Sequence, residues 1–215
     1  MTRNTLRQIM LDARMTAIVR LDDLSAFQPL AEALLAGGIR CLEFTLTNRD
    51  ALTAVSHLRK NISSFDSGEA VIGIGSVRSR EDAQAAIDAG AQLLVSPTVV
   101  MPMIELANQN DILCAPGAYT PTEIETAWQA GADVVKVFPA TALGPSYMKA
   151  VLAPMPDIRL MPTGGINLDN MASYLKVGCA ALGIGSNLVH PAMINAGDWD
   201  GLRELAAQYV AAAQV

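Results

Sequence analysis

TPTEIETAWQAGADVVKVFP, residues 120–139, carries the signals of a helix followed by a strand. Thr120 and Glu123, with a proline directly after the threonine, form the pattern of a capping box at a helix start. Gly131 follows the helical stretch, where a left-handed residue commonly ends a helix. The short apolar run Asp133–Pro139 then reads as a buried strand. This stretch predicts one helix–strand unit of an α/β fold.

The same unit recurs along the chain. Small residues with glycine precede four strand-like runs, at residues 36–39, 89–92, 130–133 and 177–180. Eight such runs alternate with longer helix-like segments: Thr16–Leu21, Ile39–Leu46, Ala70–Gly75, Gln92–Pro97, Ile112–Gly117, Asp133–Pro139, Ile158–Thr163 and Ala180–Ser186. This alternation predicts parallel strands with crossover helices, and eight units in about this length predict a (β/α)8 TIM barrel.

Helices are also expected at both ends of the chain. The N-terminal segment, which contains Arg3 and Arg7, reads as an amphipathic helix, and residues 199–214 read as a final one. Asn167 is a weaker signal of a helix start near the seventh run. Since the chain contains no Pro/Ser-rich linker and no low-complexity segment, we expect residues 1–215 to form a single domain.

The composition excludes several classes of protein. Of the 215 residues, 51% are hydrophobic and 17% charged, which rules out a disordered chain, and the formal net charge is −6. The lysines and arginines form no cluster, so neither nucleic acid nor a membrane is expected as a partner. Three separated cysteines and the absence of a signal-peptide pattern favour a cytoplasmic location. With two histidines and no CxxC or HExxH motif, no metal site is expected.

Lys136 and Glu43 are charged residues inside predicted strands. Lys136 shares a strand face with Val134 and Phe138, and an interior lysine is disfavoured unless it is paired or used. Burial disfavours the ammonium form, and a neutral amine in a dry pocket can attack a carbonyl to form a Schiff base. Glu43, opposite the apolar face of its strand, could pair with Lys136 or move protons beside an imine. The alternative is a buried ion pair without chemistry, although such pairs stabilise proteins little.

Two glycine-rich loops indicate an anion site. Pro162–Ile166 (PTGGI) follows the seventh run, and Gly183–Asn187 (GIGSN) follows the eighth. Glycines let backbone N–H groups approach an anion closely, and many barrels bind phosphate between these two loops. If Arg20, at the end of the first run, lies at the mouth of the barrel, it suits a carboxylate or phosphate. The alternative for Arg20 is a surface arginine that merely follows a strand.

These residues together resemble a known family. The motifs are Glu43 within LEFTLTN, GIGSV at 73–77, Ser96-Pro97, PGAYTPTE at 116–123, VKVFPA at 135–140 and PTGGI at 162–166. From about residue 6 to the C-terminus they resemble the 2-keto-3-deoxy-6-phosphogluconate (KDPG) aldolase family. That family also includes 4-hydroxy-2-oxoglutarate (KHG) aldolases and aldolases specific for the 6-phosphogalactonate.

The resemblance implies a (β/α)8 barrel, usually a homotrimer, that acts on phosphorylated keto acids and pyruvate without a metal or other cofactor. Lys136 resembles the Schiff-base lysine, and Glu43 resembles the proton-shuttling carboxylate. The substrate-binding residues that it implies are Arg20, Thr45, Ser76, Pro97, Phe138 and Thr163, with Gly164, Gly165, Gly185 and Ser186 as the phosphate cradle.

The chain departs from the family pattern in ways that bear on substrate choice. Thr47 and Asn48 stand where many members have arginine, and Thr141 stands where many have glutamate. We expect cleavage of the 6-phosphogluconate derivative, with the 6-phosphogalactonate derivative or 4-hydroxy-2-oxoglutarate as alternatives. A more distant alternative is a phosphosugar isomerase or epimerase that uses Glu43 as its base, or a barrel that only binds a phosphorylated ligand.

Overall fold

A computed structural model describes residues 1–214 of the chain. Among these residues the strands are β1 (Met15–Val19), β2 (Cys41–Thr45), β3 (Val71–Gly75), β4 (Leu93–Val95), β5 (Leu113–Ala115), β6 (Gly117–Ala118), β7 (Val135–Val137), β8 (Leu160–Pro162) and β9 (Leu182–Ile184). The α-helices are α1 (Arg3–Ala13), α2 (Phe27–Ala36), α3 (Ala51–Asn61), α4 (Ser64–Ser67), α5 (Arg80–Asp88), α6 (Met101–Gln109), α7 (Pro121–Gln129), α8 (Gly144–Leu152), α9 (Met171–Lys176), α10 (Pro191–Ala196) and α11 (Trp199–Ala212).

All strand pairs are parallel, and they form two sheets. The larger sheet has the order β5-β4-β3-β2-β1-β9, and the smaller one has the order β6-β7-β8. A parallel bridge between Thr163 and Gly183, and a hydrogen bond from the Ala180 N–H to the Leu160 carbonyl (3.0 Å), join β8 to β9. The α/β class and the parallel arrangement are therefore confirmed.

The predicted strand Ile112–Gly117 is wrong as a single element, because Pro116 divides it into β5 and β6. Proline has no N–H to donate to a ladder, so regular pairing stops there. On one side of the break β5 pairs with β4, and on the other β6 pairs with β7. The Pro116 carbonyl still accepts from the Lys136 N–H at 2.9 Å. The break thus moves one run of chain from one sheet to the other.

The two faces of the strands bury different clusters. In β2, the side chains of Leu42 and Phe44 pack in the larger core cluster, which lies against the helices. Cys41 and Val134 belong to a second, smaller cluster with Leu6 of α1. This separation confirms the predicted alternation of faces, because Glu43 and Lys136 follow Cys41 and Val134 by two residues.

The N-terminal helix is fixed to the strands by a buried carboxylate. Asp133 is 1% exposed and accepts from Arg3 (Nη2, 2.7 Å) and Arg7 (Nε, 2.7 Å). It also accepts from the Cys114 backbone N–H at 2.9 Å. Asp133 therefore joins α1 to β5 and β7 at the side of the sheets opposite the glycine-rich loops Pro162–Ile166 and Gly183–Asn187.

Most helix boundaries agree with the sequence signals. Thr120 and Glu123 form the predicted capping box, and Gly131 has the left-handed φ of 98° expected after a helix. The helix α9 begins at Met171, four residues after Asn167, but Asn167 has the bonding expected before a helix start: its side chain accepts from the Asp169 and Asn170 N–H groups (3.0 and 3.1 Å), and its backbone carbonyl accepts from the Met171 N–H (3.0 Å). The final helix ends at Ala212, two residues before the predicted end, and Val215 lies outside the described residues.

The three cysteines are free and buried. Burial raises the pKa of Cys41, Cys114 and Cys179 to about 12, so the thiols are neutral near pH 7. Within the described residues, no helix is long and apolar enough to cross a membrane. Nor does any group of three His, Cys, Asp or Glu side chains in residues 1–214 come together as metal ligands would.

Replacing Asp133 by alanine is expected to lower the free energy of unfolding by about 3 kcal/mol, since Arg3 and Arg7 then lose their buried counter-charge. Urea denaturation measures this change. Arg203→Ala is the matched control, because Arg203 forms only an exposed ion pair with Asp200, and its loss should cost less than about 0.5 kcal/mol. Equal effects of the two substitutions would contradict the conclusion that Asp133 fixes α1 to the strands.

Candidate active site

Lys136 lies in the middle of β7, where neighbouring strands hold it from both sides. Its register partners are Gly117 in β6 and Met161 in β8. The side chain is 4% exposed, so the amine is removed from bulk water. The predicted burial of Lys136 is confirmed.

Glu43 of β2 lies opposite Lys136 of β7 in the interior that the strands enclose. Its side chain is fully buried, and Oε1 lies 3.7 Å from Nζ of Lys136. Neither carboxylate oxygen has a hydrogen-bond partner among the described residues. Buried carboxylate oxygens are normally hydrogen-bonded, and those of Glu43 retain unused acceptor capacity. The pair is thus equipped to exchange protons with a group bound beside it.

Gly75 creates the space that the Glu43 carboxylate occupies. Gly75 is the register partner of Thr45 in β3, and a Cβ atom built on it would collide with Oε1 and Cδ of Glu43. Gly183 does the same for Thr163, whose Oγ1 lies where a Cβ would fall. Interior glycines therefore make room for polar side chains in place of apolar ones.

A cavity of about 210 Å³ opens at the carboxyl ends of the strands. Its lining includes seven of the predicted site residues: Arg20, Phe138, Thr163, Gly164, Gly165, Gly185 and Ser186. Phe138 connects this cavity to the buried pair, because its ring centroid lies 5.4 Å from the Lys136 amine. The two predicted parts of the site, the amine with its carboxylate and the glycine loops, therefore adjoin.

The cavity has the chemistry of an anion site. Gly164 and Gly165 have φ values of 102° and 74°, which favour glycine. Within residues 1–214, the backbone N–H groups of Gly164, Gly165 and Ser186 donate to no protein acceptor. Arg20 is the charged side chain of the lining; it is exposed, and no acceptor in the described structure pairs with it. Unused donors and a free guanidinium suit phosphate or carboxylate.

Besides Lys136 and Glu43, three predicted substrate-binding residues do not line this cavity: Thr45, Ser76 and Pro97. Thr45 is buried, and its hydroxyl is 2.8 Å from that of Thr47. Ser76 follows β3 with a φ of 61°, a conformation that a non-glycine residue rarely adopts. Such strain often occurs at functional sites, so Ser76 keeps its interest although it lies outside the lining.

The loop after β2 is hydrogen-bonded to the backbone of the loop after β1. The Asn48 amide donates to the Asp22 carbonyl at 2.9 Å and so contacts the loop that begins at Arg20. Arg49 bonds Asp82 at 2.9 Å with its side chain largely exposed. Arg20 is therefore the arginine that borders the cavity.

Comparison with known proteins identifies the family. The model of the family described as KDPG and KHG aldolase matches residues 6–205. The 2-dehydro-3-deoxy-phosphogluconate aldolase of Treponema pallidum is 36% identical over 196 residues, which cover 91% of each chain. The chain belongs to the KDPG and KHG aldolase family.

Solved structures of this aldolase family agree closely with the fold. A KDPG aldolase from Legionella pneumophila, with pyruvate captured as a covalent carbinolamine intermediate, superimposes with a TM-score of 0.84. It is 30% identical, and the match covers 94% of this chain and 96% of that one. A structure named "Native KDPGal structure" gives a TM-score of 0.83 at 29% identity, covering 92% and 93%.

Sequence reasoning missed three lining residues of this aldolase: Ile18, Ile166 and Asn187. Ile18 lies two residues before Arg20 on the same strand face, so alternation could have found it. Ile166 and Asn187 are the last residues of the two predicted loops, directly after Gly165 and Ser186. No signal in the sequence indicates that Asn187 donates from its amide to the Ile166 carbonyl (2.8 Å), because that contact joins two loops.

Gly75→Ala is expected to lower the kcat of aldol cleavage by about 100-fold, since the added methyl displaces the Glu43 carboxylate and general acid–base catalysis is lost. Steady-state kinetics measure the loss. In a double-mutant cycle with Glu43→Gln, adding Gly75→Ala should cause little further decrease. A further 100-fold decrease on the Glu43→Gln background would show that Gly75 acts through something other than Glu43.

Proposed function

We propose that this chain is a class I aldolase that cleaves 2-dehydro-3-deoxy-6-phosphogluconate to pyruvate and D-glyceraldehyde 3-phosphate. The observation that carries the proposal is the 3.7 Å contact between the buried Lys136 amine and Glu43, next to an anion cavity. The T. pallidum relative is named a 2-dehydro-3-deoxy-phosphogluconate aldolase, which supports this substrate class. The carbinolamine in the L. pneumophila enzyme requires an amine nucleophile, which supports the same role for Lys136.

Covalent chemistry begins at the Lys136 amine. In its neutral form the amine attacks the C2 ketone of the substrate and forms a carbinolamine. Glu43, directly or through water, delivers the proton with which the C2 hydroxyl leaves as water. The product of this step is a protonated imine between C2 and Nζ.

The imine then accepts the electrons of the C3–C4 bond. Loss of the C4 hydroxyl proton to the Glu43 carboxylate breaks that bond, which releases the aldehyde and leaves an enamine on Lys136. Glu43 returns a proton to C3, and water then adds to C2 of the imine and gives up a proton to the Glu43 carboxylate. Pyruvate leaves, and the Lys136 amine is restored.

The anion cavity would hold the far end of the substrate. The N–H groups of Gly164, Gly165 and Ser186 would bind the phosphate, with Arg20 as counter-charge. Binding at this end fixes C4 relative to the imine and so orients the bond that breaks. Thr45, Ser76 and Pro97 remain proposed contacts of the pyruvyl part.

We extend the proposal to the architecture and assembly. Eight strand positions, with β5 and β6 counted as one, would form a closed (β/α)8 barrel in a single domain; the contacts that join β8 to β9 and β6 to β7 support this. The resemblance to the family supports a homotrimer, and the three separated cysteines support a cytoplasmic location.

Two substrates compete with the proposed one. The structural similarity to the KDPGal protein favours testing 2-dehydro-3-deoxy-6-phosphogalactonate. A KHG/KDPG aldolase from Escherichia coli K12, 34% identical over 188 residues (87% of this chain and 86% of that one), favours testing 4-hydroxy-2-oxoglutarate.

The test is pyruvate release from the three substrates, coupled to lactate dehydrogenase. The 6-phosphogluconate derivative should give the highest kcat/KM, and Lys136→Ala should lower it at least about 10⁴-fold because the nucleophile is gone. Lys149→Ala, which removes an exposed lysine of α8, is the control and should retain activity. Undiminished activity of Lys136→Ala would overturn the mechanism. Isomerisation without pyruvate release would favour the isomerase alternative.

A further inference from the structure

The two loops of the anion cavity contain carbonyl groups as well as N–H groups. A carbonyl oxygen that turned into the cavity would repel a phosphate, so anion affinity depends on which group each peptide presents. Gly164 and Gly165, with positive φ, can adopt more than one peptide orientation at little cost. Contacts from outside the Pro162–Ile166 loop must therefore select the orientation in which this loop presents N–H groups.

Asn170 binds one of these carbonyls. Its Nδ2 donates to the Gly165 carbonyl at 2.9 Å. The orientation of the amide is determined by its other end, because Oδ1 accepts from the Asn167 N–H at 3.0 Å. The Asn167 side chain in turn accepts from the Asn170 N–H at 3.1 Å. Asn170 is half-buried and does not line the cavity, so it lies behind the loop.

Asn187 binds the next carbonyl from the other loop. Its Nδ2 donates to the Ile166 carbonyl at 2.8 Å. The backbone carbonyl of Asn187 accepts from the hydroxyl of Tyr209 on α11 at 3.3 Å, and Tyr209 is 2% exposed. Consecutive carbonyls of the first loop are thus each bound by an asparagine amide, while the N–H groups of Gly164 and Gly165 in the same loop donate to no acceptor within residues 1–214.

We propose that Asn170 and Asn187 are positioning residues that set the anion affinity of the cavity. They bind the Gly165 and Ile166 carbonyls, so that the two loops present donors to the phosphate. This inference rests on the proposed function for its substrate, but anion affinity can be measured without turnover. It also predicts that the amine chemistry at Lys136, which needs no phosphate, is independent of these amides.

The experiment compares Asn170→Ala, which removes the donor, with Asn170→Asp, which also adds a negative charge. Asn110→Asp is the matched control, because Asn110 is an exposed residue after α6 whose amide caps that helix. Three quantities are measured on the full chain: the Kd of inorganic phosphate, the KM and kcat for the phosphorylated substrate, and the exchange of pyruvate methyl protons in D₂O. The exchange reports imine formation and proton transfer without a phosphate, and it shows that a variant is folded.

Both Asn170 variants should raise the phosphate Kd and the substrate KM about tenfold, the effect of losing a charge-assisted contact. Methyl-proton exchange should stay within about twofold of the wild type, and Asn110→Asp should change nothing. If only Asn170→Asp weakens phosphate, charge repulsion explains the result and the positioning role is wrong. A parallel loss of exchange and phosphate binding would indicate general damage to the fold and also overturn the inference.

The readouts separate this inference from the proposed function. A wild-type chain that binds phosphate and exchanges pyruvate protons, but does not cleave the phosphorylated substrates, would contradict the proposed reaction. In that case, the expected rise of the phosphate Kd in Asn170→Ala would still support the positioning role. Tyr209→Phe, which removes the hydroxyl that contacts the backbone carbonyl of Asn187, provides a second variant. It should raise the phosphate Kd about two- to threefold. An unchanged Kd would restrict the role to the amide of Asn170 and contradict the part assigned to Asn187.

Discussion

The contact between Lys136 and Glu43 is the constraint on which the rest of the site depends. Two ionisable side chains lie in the strand interior, where each would be costly without the other. The fold admits them because Gly75 leaves a gap that the carboxylate fills. Replacing a buried ion pair by apolar side chains of similar size often leaves a protein no less stable, so stability alone does not explain the pair. The proposed chemistry at a carbonyl bound beside the amine would account for the arrangement.

Because the strands are parallel, the anion loops all lie on one side of this buried pair. Lys136 and Glu43 lie within β7 and β2, and the loops that follow β8 and β9 lie farther along the same direction. Phe138, two residues beyond Lys136, contacts both regions. At the opposite ends of the strands, Asp133 binds the arginines of α1 and closes the interior. The anion donors lie on the other side of the pair, where the cavity opens at the carboxyl ends of the strands.

Much of this arrangement could be predicted from the sequence. Strand alternation placed Lys136 and Glu43 on interior faces, and the glycine pairs marked the anion loops, since both signals are local. The division of one strand at Pro116 was missed because the sequence does not show which sheet each half joins. The sequence also leaves two positions for Arg20, the mouth of the barrel or the open surface, because a local pattern does not show what lies beside the end of a strand; the structure places it in the cavity lining. The amides of Asn170 and Asn187 escaped prediction, because their partners depend on how two loops meet in space.

The most direct test of the account is reduction with borohydride in the presence of pyruvate, followed by peptide mass spectrometry. The account predicts a stable pyruvyl adduct on the peptide that contains Lys136, and no adduct when pyruvate is omitted. Glu43→Gln should form the same adduct more slowly, because the lysine remains and proton transfer is impaired. The absence of an adduct in folded protein that binds pyruvate, or an adduct on another lysine, would contradict the account.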